Sequence, residues 1–179
     1  MKSRAECIKE YGSDYFIRQK VDSGELFKVD KGIYSEEKHV PELAVLSFKY
    51  PQAVITMDTA FYLYGLTDEI PDVCTMATKR EAAPIADSRI KQIFIPKELL
   101  KIGATTMEYK GYCLPIFDLE RMLVELVRYK SKLPFNYYKE ILGNYRRLLP
   151  KLNTEKVRDY AEAMPKKDMI IRTLRTEVY

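Results

Sequence analysis

Apolar residues recur at helical spacing through the last third of the chain, and this periodicity constrains the fold more than any other feature. After Asp118 they fall at i, i+3, i+4, i+7 and i+8, the pattern of one buried helix face. Segments opened by Asn136 and Thr154, and a last one after Pro165, repeat it. The spacing predicts four helices over 118–179, whose stripes are Leu119, Met122, Leu123, Leu126, Val127; Tyr138, Ile141, Leu142, Tyr145, Leu148, Leu149; Val157, Tyr160, Ala161, Met164; and Ile170, Ile171, Leu174, Val178.

The centre of the chain mixes helix and strand signals. Helices are predicted over 41–49 and 57–64, the second closed by Gly65. Short β-branched or alternating runs then predict four strands, at residues 73–78, 90–95, 105–110 and 112–116.

The first segment predicts two short helices. Ser3 is placed to cap a helix that ends near Tyr11, with Ala5 and Ile8 turned inward. Ser13 is placed to cap the next helix, which ends near Asp22, because its hydroxyl can accept from a free backbone N–H.

A hairpin follows these helices, at residues 26–34. Its residues alternate, and Asp30, Lys31 and Gly32 predict a tight turn. Two helices and a hairpin are the plan of a winged helix, in which the second helix enters the major groove and the wing touches the adjacent backbone.

The fold class is therefore predicted as α+β, in two domains. Residues 1–38 form a small winged helix-turn-helix. Residues 39–179 form a larger mixed α/β domain, with mixed structure over 39–117 and a helical bundle over 118–179.

The second helix carries the candidate DNA-binding residues. Arginine suits guanine and glutamine suits adenine, so Arg18 and Gln19 are candidates for base edges. Phosphate contacts are assigned to Ser13, Tyr15, Lys20, Lys28 and Lys31. The alternative is a surface helix of a protein-binding domain, since residues 1–38 hold eight basic and eight acidic residues and Asp14, Asp22 and Asp30 would repel phosphates.

The last third is the electropositive part of the chain. Residues 121–179 hold 14 basic and seven acidic residues, within an overall net charge of +4. Such a patch attracts polyanions whatever their sequence. It predicts a basic partner face, with solubility as the equally weighted alternative, made of Lys139, Arg146, Arg147, Lys151, Lys156 and Arg158.

The composition argues against several kinds of functional site. The three cysteines are far apart and the lone histidine, His39, cannot supply a histidine pair, so no disulfide framework, metal site or cofactor is predicted. Asp72 with Glu108 and Lys110 spells the PD…ExK pattern of many nucleases, but such pairs arise by chance in a charged chain, and no enzyme activity is predicted. No apolar run approaches the ~18 residues of a membrane span, so we expect a cytoplasmic protein without a membrane partner.

Three stretches together resemble AbiEi-type antitoxins, in the order in which that family has them. Residues 24–35 (GELFKVDKGIYS) resemble the wing, and residues 50–72 (YPQAVITMDTAFYLYGLTDEIPD) resemble the opening of the second domain. Residues 114–135 (LPIFDLERMLVELVRYKSKLPF) resemble the stretch where that domain turns helical. The middle stretch is the most specific, particularly at Ala53, Ala60, Gly65, Leu66, Thr67 and Pro71.

The resemblance implies an antitoxin of a type IV toxin–antitoxin system, with two partners. One is a nucleotidyltransferase-like toxin, and the other is promoter DNA with inverted repeats, through which the antitoxin represses its own operon. The family's winged helix usually has one helix more before the pair seen here, so this unit is expected to be abbreviated. The alternatives are a protein-interaction module and a stand-alone winged-helix regulator.

Overall fold

Nine α-helices and two β-sheets make up the chain, which the computed structural model describes over residues 1–179. The predicted α+β class is confirmed. The chain divides into two units: unit 1 is Met1–Pro51 with Glu108–Leu114, and unit 2 is Gln52–Met107 with Pro115–Tyr179. Unit 1 thus extends beyond residue 38, where the sequence placed the end of the first domain.

Unit 1 is built on a three-stranded antiparallel sheet in the order β1-β3-β2. The two predicted helices, the predicted hairpin and the predicted helix near 41–49 are all present. The sequence missed β1, which pairs with β3 through only two residues. The elements are β1 (Lys2–Ser3), α1 (Arg4–Tyr11), α2 (Asp14–Asp22), β2 (Phe27–Asp30), β3 (Ile33–Ser35) and α3 (Glu42–Lys49).

The helix starts of unit 1 follow the predicted caps in one case of two. Ser3 caps α1 through a capping box with Glu6, in which each side chain accepts from the other's backbone N–H. Ser13 stands at the N-cap of α2, but its hydroxyl makes no capping hydrogen bond. The prediction that Ala5 faces inward is wrong: Ala5 is exposed, because the buried position of α1 is Cys7, which packs with Ile17.

The larger sheet has five strands in the order β6-β5-β4-β8-β7. β4 is antiparallel to β5 and parallel to β8, and β5 is parallel to β6. All four predicted strands are present within a residue or two of their predicted ends, whereas β4 was missed. The strands are β4 (Val54–Ile55), β5 (Cys74–Lys79), β6 (Ile90–Ile95), β7 (Ala104–Tyr109) and β8 (Tyr112–Phe117), and the helices among them are α4 (Met57–Leu63) and α5 (Lys97–Leu100).

Four helices end the chain, as the periodicity predicts: α6 (Leu119–Arg128), α7 (Phe135–Leu148), α8 (Thr154–Ala163) and α9 (Lys167–Thr173), the last continued by a π-helical turn at Leu174–Val178. Asp118 caps α6 as predicted. Two starts differ from prediction, because α7 begins after Pro134 and the side chain of Asn153 caps α8. None of the helices combines the length and apolar character that crossing a bilayer requires.

The predicted stripes form the core of these helices, and five of their members are only half-buried: Leu119, Leu148, Leu149, Tyr160 and Ile171. In α6 the burial extends further, because residues 121–127 are buried on every side. That run includes Arg121 and Glu125, two charged residues that a one-sided stripe leaves at the surface.

Candidate nucleic-acid interface

A groove of about 780 Å³ lies in unit 1 between α2, the N-terminus of α1 and the β2–β3 hairpin. Its apolar floor includes Ile17 and Val21 of α2. Four cations and two carboxylates surround this floor: Arg4, Arg18, Lys28, Lys31, Asp14 and Asp22. The groove therefore carries an excess of positive charge.

Helical spacing explains how α2 presents its side of the groove. Ile17 is buried and ties α2 to the small core with Cys7. Asp14, Arg18 and Asp22 follow each other at intervals of four, so they lie along one edge of the helix, next to the buried stripe. All three are exposed, as the sequence predicted for Arg18.

An irregularity in the hairpin brings its two lysines together. Residues three apart on a regular strand point to opposite faces. The pairing register of β2 with β3 shifts between Lys28 and Asp30, the signature of a β-bulge. Lys28, on the strand, and Lys31, in the turn, both line the groove as a result.

Three of the groove cations have no counter-ion within the protein. Arg18, Lys28 and Lys31 make no side-chain hydrogen bond or ion pair among residues 1–179. Arg4 differs, since its Nε donates to Oδ1 of Asp14 at 2.9 Å and its Nη2 to Oδ2 of the same carboxylate. These hydrogen bonds raise the pKa of Arg4 above its ordinary value.

The remaining predicted DNA contacts lie elsewhere on α2. Gln19 and Lys20 line a separate depression beside Phe16. Lys20 is paired with Glu25, whose carboxylate raises the pKa of the lysine. Gln19 donates to the hydroxyl of Tyr15 at 3.0 Å. The groove thus unites three of the seven predicted residues and separates them from Ser13, Tyr15, Gln19 and Lys20.

Arg4 is the groove cation that the sequence-based prediction missed. The capping box Ser3-x-x-Glu6 places Arg4 at the first helical position, and this much is visible in the sequence. Its ion pair with Asp14 crosses from one helix to the next, so it depends on the turn at Gly12 and carries no local signal.

The six basic residues predicted as a partner face are all exposed, but several are engaged locally. Arg146 donates to the backbone carbonyl of Glu177 at 2.9 and 2.6 Å. Lys156 lies 3.7 Å from the carboxylate of Asp118, and Lys139 lies over the ring of Phe135 at 4.6 Å.

The other three members are held more loosely. Arg147 contacts Asn144 of its own helix at 3.2 Å, and Arg158 lies 3.7 Å from Asp159. Lys151 has no side-chain partner. Among the described cavities, only Arg158 of the six lines one. Within this set, Lys151 is the least engaged cation, and the one hydrogen-bond partner of Arg147 is an uncharged amide.

The nuclease-like residues lie at separate places along the larger sheet. Asp72 precedes β5, whereas Glu108 lies on β7 and Lys110 follows it. β4 and β8 stand between β5 and β7 in the strand order. No three histidine, cysteine or carboxylate side chains are grouped so as to hold a metal ion.

Comparison with known proteins shows the fold alone. No protein-family model matches the chain, and neither does any curated protein. Among solved structures, the crystal structure of RV2827C protein from Mycobacterium tuberculosis is similar, with a TM-score of 0.63 at 14% sequence identity. The match covers 98% of this chain and 72% of that one. At this identity the likeness indicates a shared architecture and carries no function.

Proposed function

We propose that unit 1 binds duplex DNA and that the chain is an AbiEi-type antitoxin, which represses its own operon and counters a nucleotidyltransferase-like toxin. One observation supports the DNA-binding half most strongly. Arg18 from α2 and Lys28 and Lys31 from the hairpin share one groove, and none of them has a counter-ion. Unpaired cations from two elements on one concave surface suit a chain of phosphates.

The order of elements supports a winged-helix reading of unit 1. Two helices are followed by a hairpin, and the strand before α1 joins the same sheet. In that reading α2 lies in the major groove, where Arg18 reaches base edges. Lys28 and Lys31 of the wing then contact the adjacent phosphates, which position the helix without reading sequence.

The test is a gel shift with the protein's own promoter fragment, run at low salt with micromolar protein. A scrambled duplex of equal length is the control. The proposal predicts a shift that the scrambled duplex competes for only weakly. Absence of a shift with the promoter under these conditions would exclude the DNA-binding half.

The antitoxin half depends on the resemblance of residues 24–35, 50–72 and 114–135 to the AbiEi family. It predicts that the full chain restores growth when co-expressed with the product of the adjacent gene, if that gene encodes a nucleotidyltransferase-like protein. The triple variant R18Q/K28Q/K31Q separates the two activities. It is expected to lose repression while growth rescue continues, whereas lack of rescue by the wild-type chain would contradict the antitoxin assignment.

The basic residues of unit 2 enter as a secondary candidate surface. Arg146 is unsuited to a charge-reversal test, because it also holds the backbone of Glu177. The one side-chain hydrogen bond of Arg147 goes to Asn144 of the same helix, so R147E is the cleaner variant. Reduced repression or rescue by a stably folded R147E would support a partner face there, whereas unchanged activity would favour solubility.

A protein-interaction module is the second candidate function, and one observation favours it. Tyr15 and Phe16 are 64% and 50% exposed on α2, with ring centroids 5.5 Å apart in an edge-on arrangement. Exposed aromatic side chains are frequent anchors of protein interfaces. This candidate predicts that Phe16→Ser abolishes partner binding, whereas R18Q/K28Q/K31Q leaves partner binding intact.

A further inference from the structure

We infer that Arg4 is a DNA-backbone contact of the groove, held on Asp14 in the free protein and transferred to a phosphate when DNA binds. The inference rests on the proposed DNA binding of unit 1 and goes beyond it in two ways. It adds Arg4 to the interface, and it assigns to Asp14 the role of lowering the affinity for DNA.

The backbone fixes Arg4 beside the wing. Its amide N–H donates to the carbonyl of Gly32 at 2.8 Å, and the preceding Ser3 pairs with Ile33 of β3. Gly32 follows Lys31 in the hairpin turn, so Arg4 and Lys31 leave the backbone at the same end of the groove. A phosphate held by Lys31 would therefore be near the guanidinium of Arg4.

The ion pair with Asp14 is of a kind that exchanges readily. The side chains of Arg4 and Asp14 are 56% and 50% exposed, and exposed ion pairs contribute little to stability. A guanidinium that fits a carboxylate through two parallel N–H groups fits a phosphate in the same way. No buried group would lose its partner if Arg4 left Asp14, because both side chains remain in contact with water.

The position of Asp14 on α2 also suits a negative charge. It lies in the first turn of α2, where the helix dipole favours a negative charge. Its carboxylate lines the groove and opposes an approaching phosphate, as does the unpaired Asp22. Asp14 differs from Asp22 in one respect, since it also forms an ion pair with Arg4, a cation that lines the groove.

This difference defines a double-mutant cycle on the full chain. The probe is a fluorescein-labelled promoter duplex, titrated at several salt concentrations. D14N is expected to bind about fivefold more tightly than wild type, and its gain should exceed that of the matched control D22N, because only D14N frees Arg4. The variant R4Q should bind more weakly, and its plot of log affinity against log salt should have a slope about one unit shallower.

The combined variant and a conservative one complete the test. In the R4Q background, D14N should give no more than the gain seen with D22N. R4K, which keeps the charge but loses the paired N–H groups, should retain the wild-type salt slope. Thermal unfolding of every variant reports whether a change in affinity follows a change in stability.

A purely structural ion pair predicts the opposite change in the DNA affinity of D14N. If Arg4 and Asp14 only join α1 to α2, then D14N weakens binding, R4Q weakens it equally, and both lower the melting temperature together. That result overturns the inference. A wild-type chain that does not bind the duplex at all contradicts the proposed function first, so the two failures are distinguishable.

Discussion

The guanidinium of Arg121 is fully buried in unit 2 and forms an ion pair with Glu125, which lies one helical turn further along α6. Its Nε and Nη2 donate to Oε1 of Glu125 at 2.9 and 2.7 Å. Its Nη1 donates to the carbonyls of Leu99 and Ile102, both at 2.9 Å, and the ring of Phe117 lies 4.6 Å from the guanidinium carbon. Arg121 thus ties α6 to α5 and to the loop that precedes β7.

Breaking this pair is expected to destabilise the chain strongly. E125A would leave a buried guanidinium without its carboxylate, and the free energy of unfolding should fall by about 3–5 kcal/mol. Burial already lowers the pKa of Arg121, which reflects the cost of keeping this cation out of water. Urea unfolding followed by circular dichroism measures the loss.

A double replacement is the control for that experiment. R121M/E125L removes both charges and fills similar volume, so it should recover most of the loss from E125A. If E125A unfolds at the same urea concentration as wild type, the buried pair has no stabilising role and this account of α6 is wrong.

Gly103 cannot carry a side chain at its position next to Arg121. Its φ is +71°, and a Cβ there would lie 2.5 Å from the Cβ of Arg121. G103A should therefore lower the free energy of unfolding by about 2–5 kcal/mol, from backbone strain and overpacking together. Gly111 is the matched control, with φ +84° and no neighbour within 4 Å of the added carbon. G111A should cost only about 1–2 kcal/mol, and equal costs for the two variants would contradict the packing at Gly103.

The capping box of α1 predicts a dependence of stability on pH. Hydrogen bonds from Ser3 lower the pKa of Glu6 below its ordinary 4.5. The ionised Glu6 carboxylate therefore makes its full contribution to stability above pH 4.5. This contribution is lost as the pH falls through the lower pKa that Glu6 has in the folded state. Thermal unfolding between pH 6 and pH 3 should show a smaller acid-induced loss for Glu6→Gln than for wild type. An identical loss in both proteins would exclude the capping box as its source.

Lys20 and Lys28 carry the same charge but differ in environment. Lys20 is paired with Glu25 and lies outside the groove, whereas Lys28 lines it without a counter-ion. K28Q should weaken promoter binding and reduce the magnitude of the salt slope by about one, while K20Q should leave both nearly unchanged. Equal effects of the two substitutions, measured by fluorescence anisotropy, would show that net charge alone governs binding.

The sequence predicts the elements of this fold better than their pairings. Helices such as α6 and α8 carry a local periodic signal, and β5 and β6 are long enough to show theirs. β1 and β4 have two residues each and exist only through their neighbours in the sheet, so no local pattern marks them. The burial of Arg121 was not predicted for a similar reason. Helical periodicity identifies one apolar face of a helix, whereas α6 is buried on all its faces over residues 121–127.

The candidate interface was predictable in part. Helical spacing and turn chemistry placed Arg18 and Lys31 at the surface, and both are exposed. The separation of Lys20 from the groove, and the entry of Arg4 into it, depend on which faces of two helices meet across the turn at Gly12. The relative orientation of α1 and α2 is set by tertiary packing, so the residues next to Lys20 and Arg4 in the sequence do not encode it.

The most direct test of the central claim compares two triple variants that lose the same charge. R18Q/K28Q/K31Q empties the groove of its unpaired cations, and K151Q/K156Q/R158Q removes three exposed cations from unit 2. Promoter-duplex binding is measured by fluorescence anisotropy for both, with thermal unfolding as the check on folding. The account predicts that the groove variant loses at least tenfold in affinity while the unit 2 variant stays within about twofold of wild type. Equal losses in the two variants, or wild-type affinity in the groove variant, would contradict it.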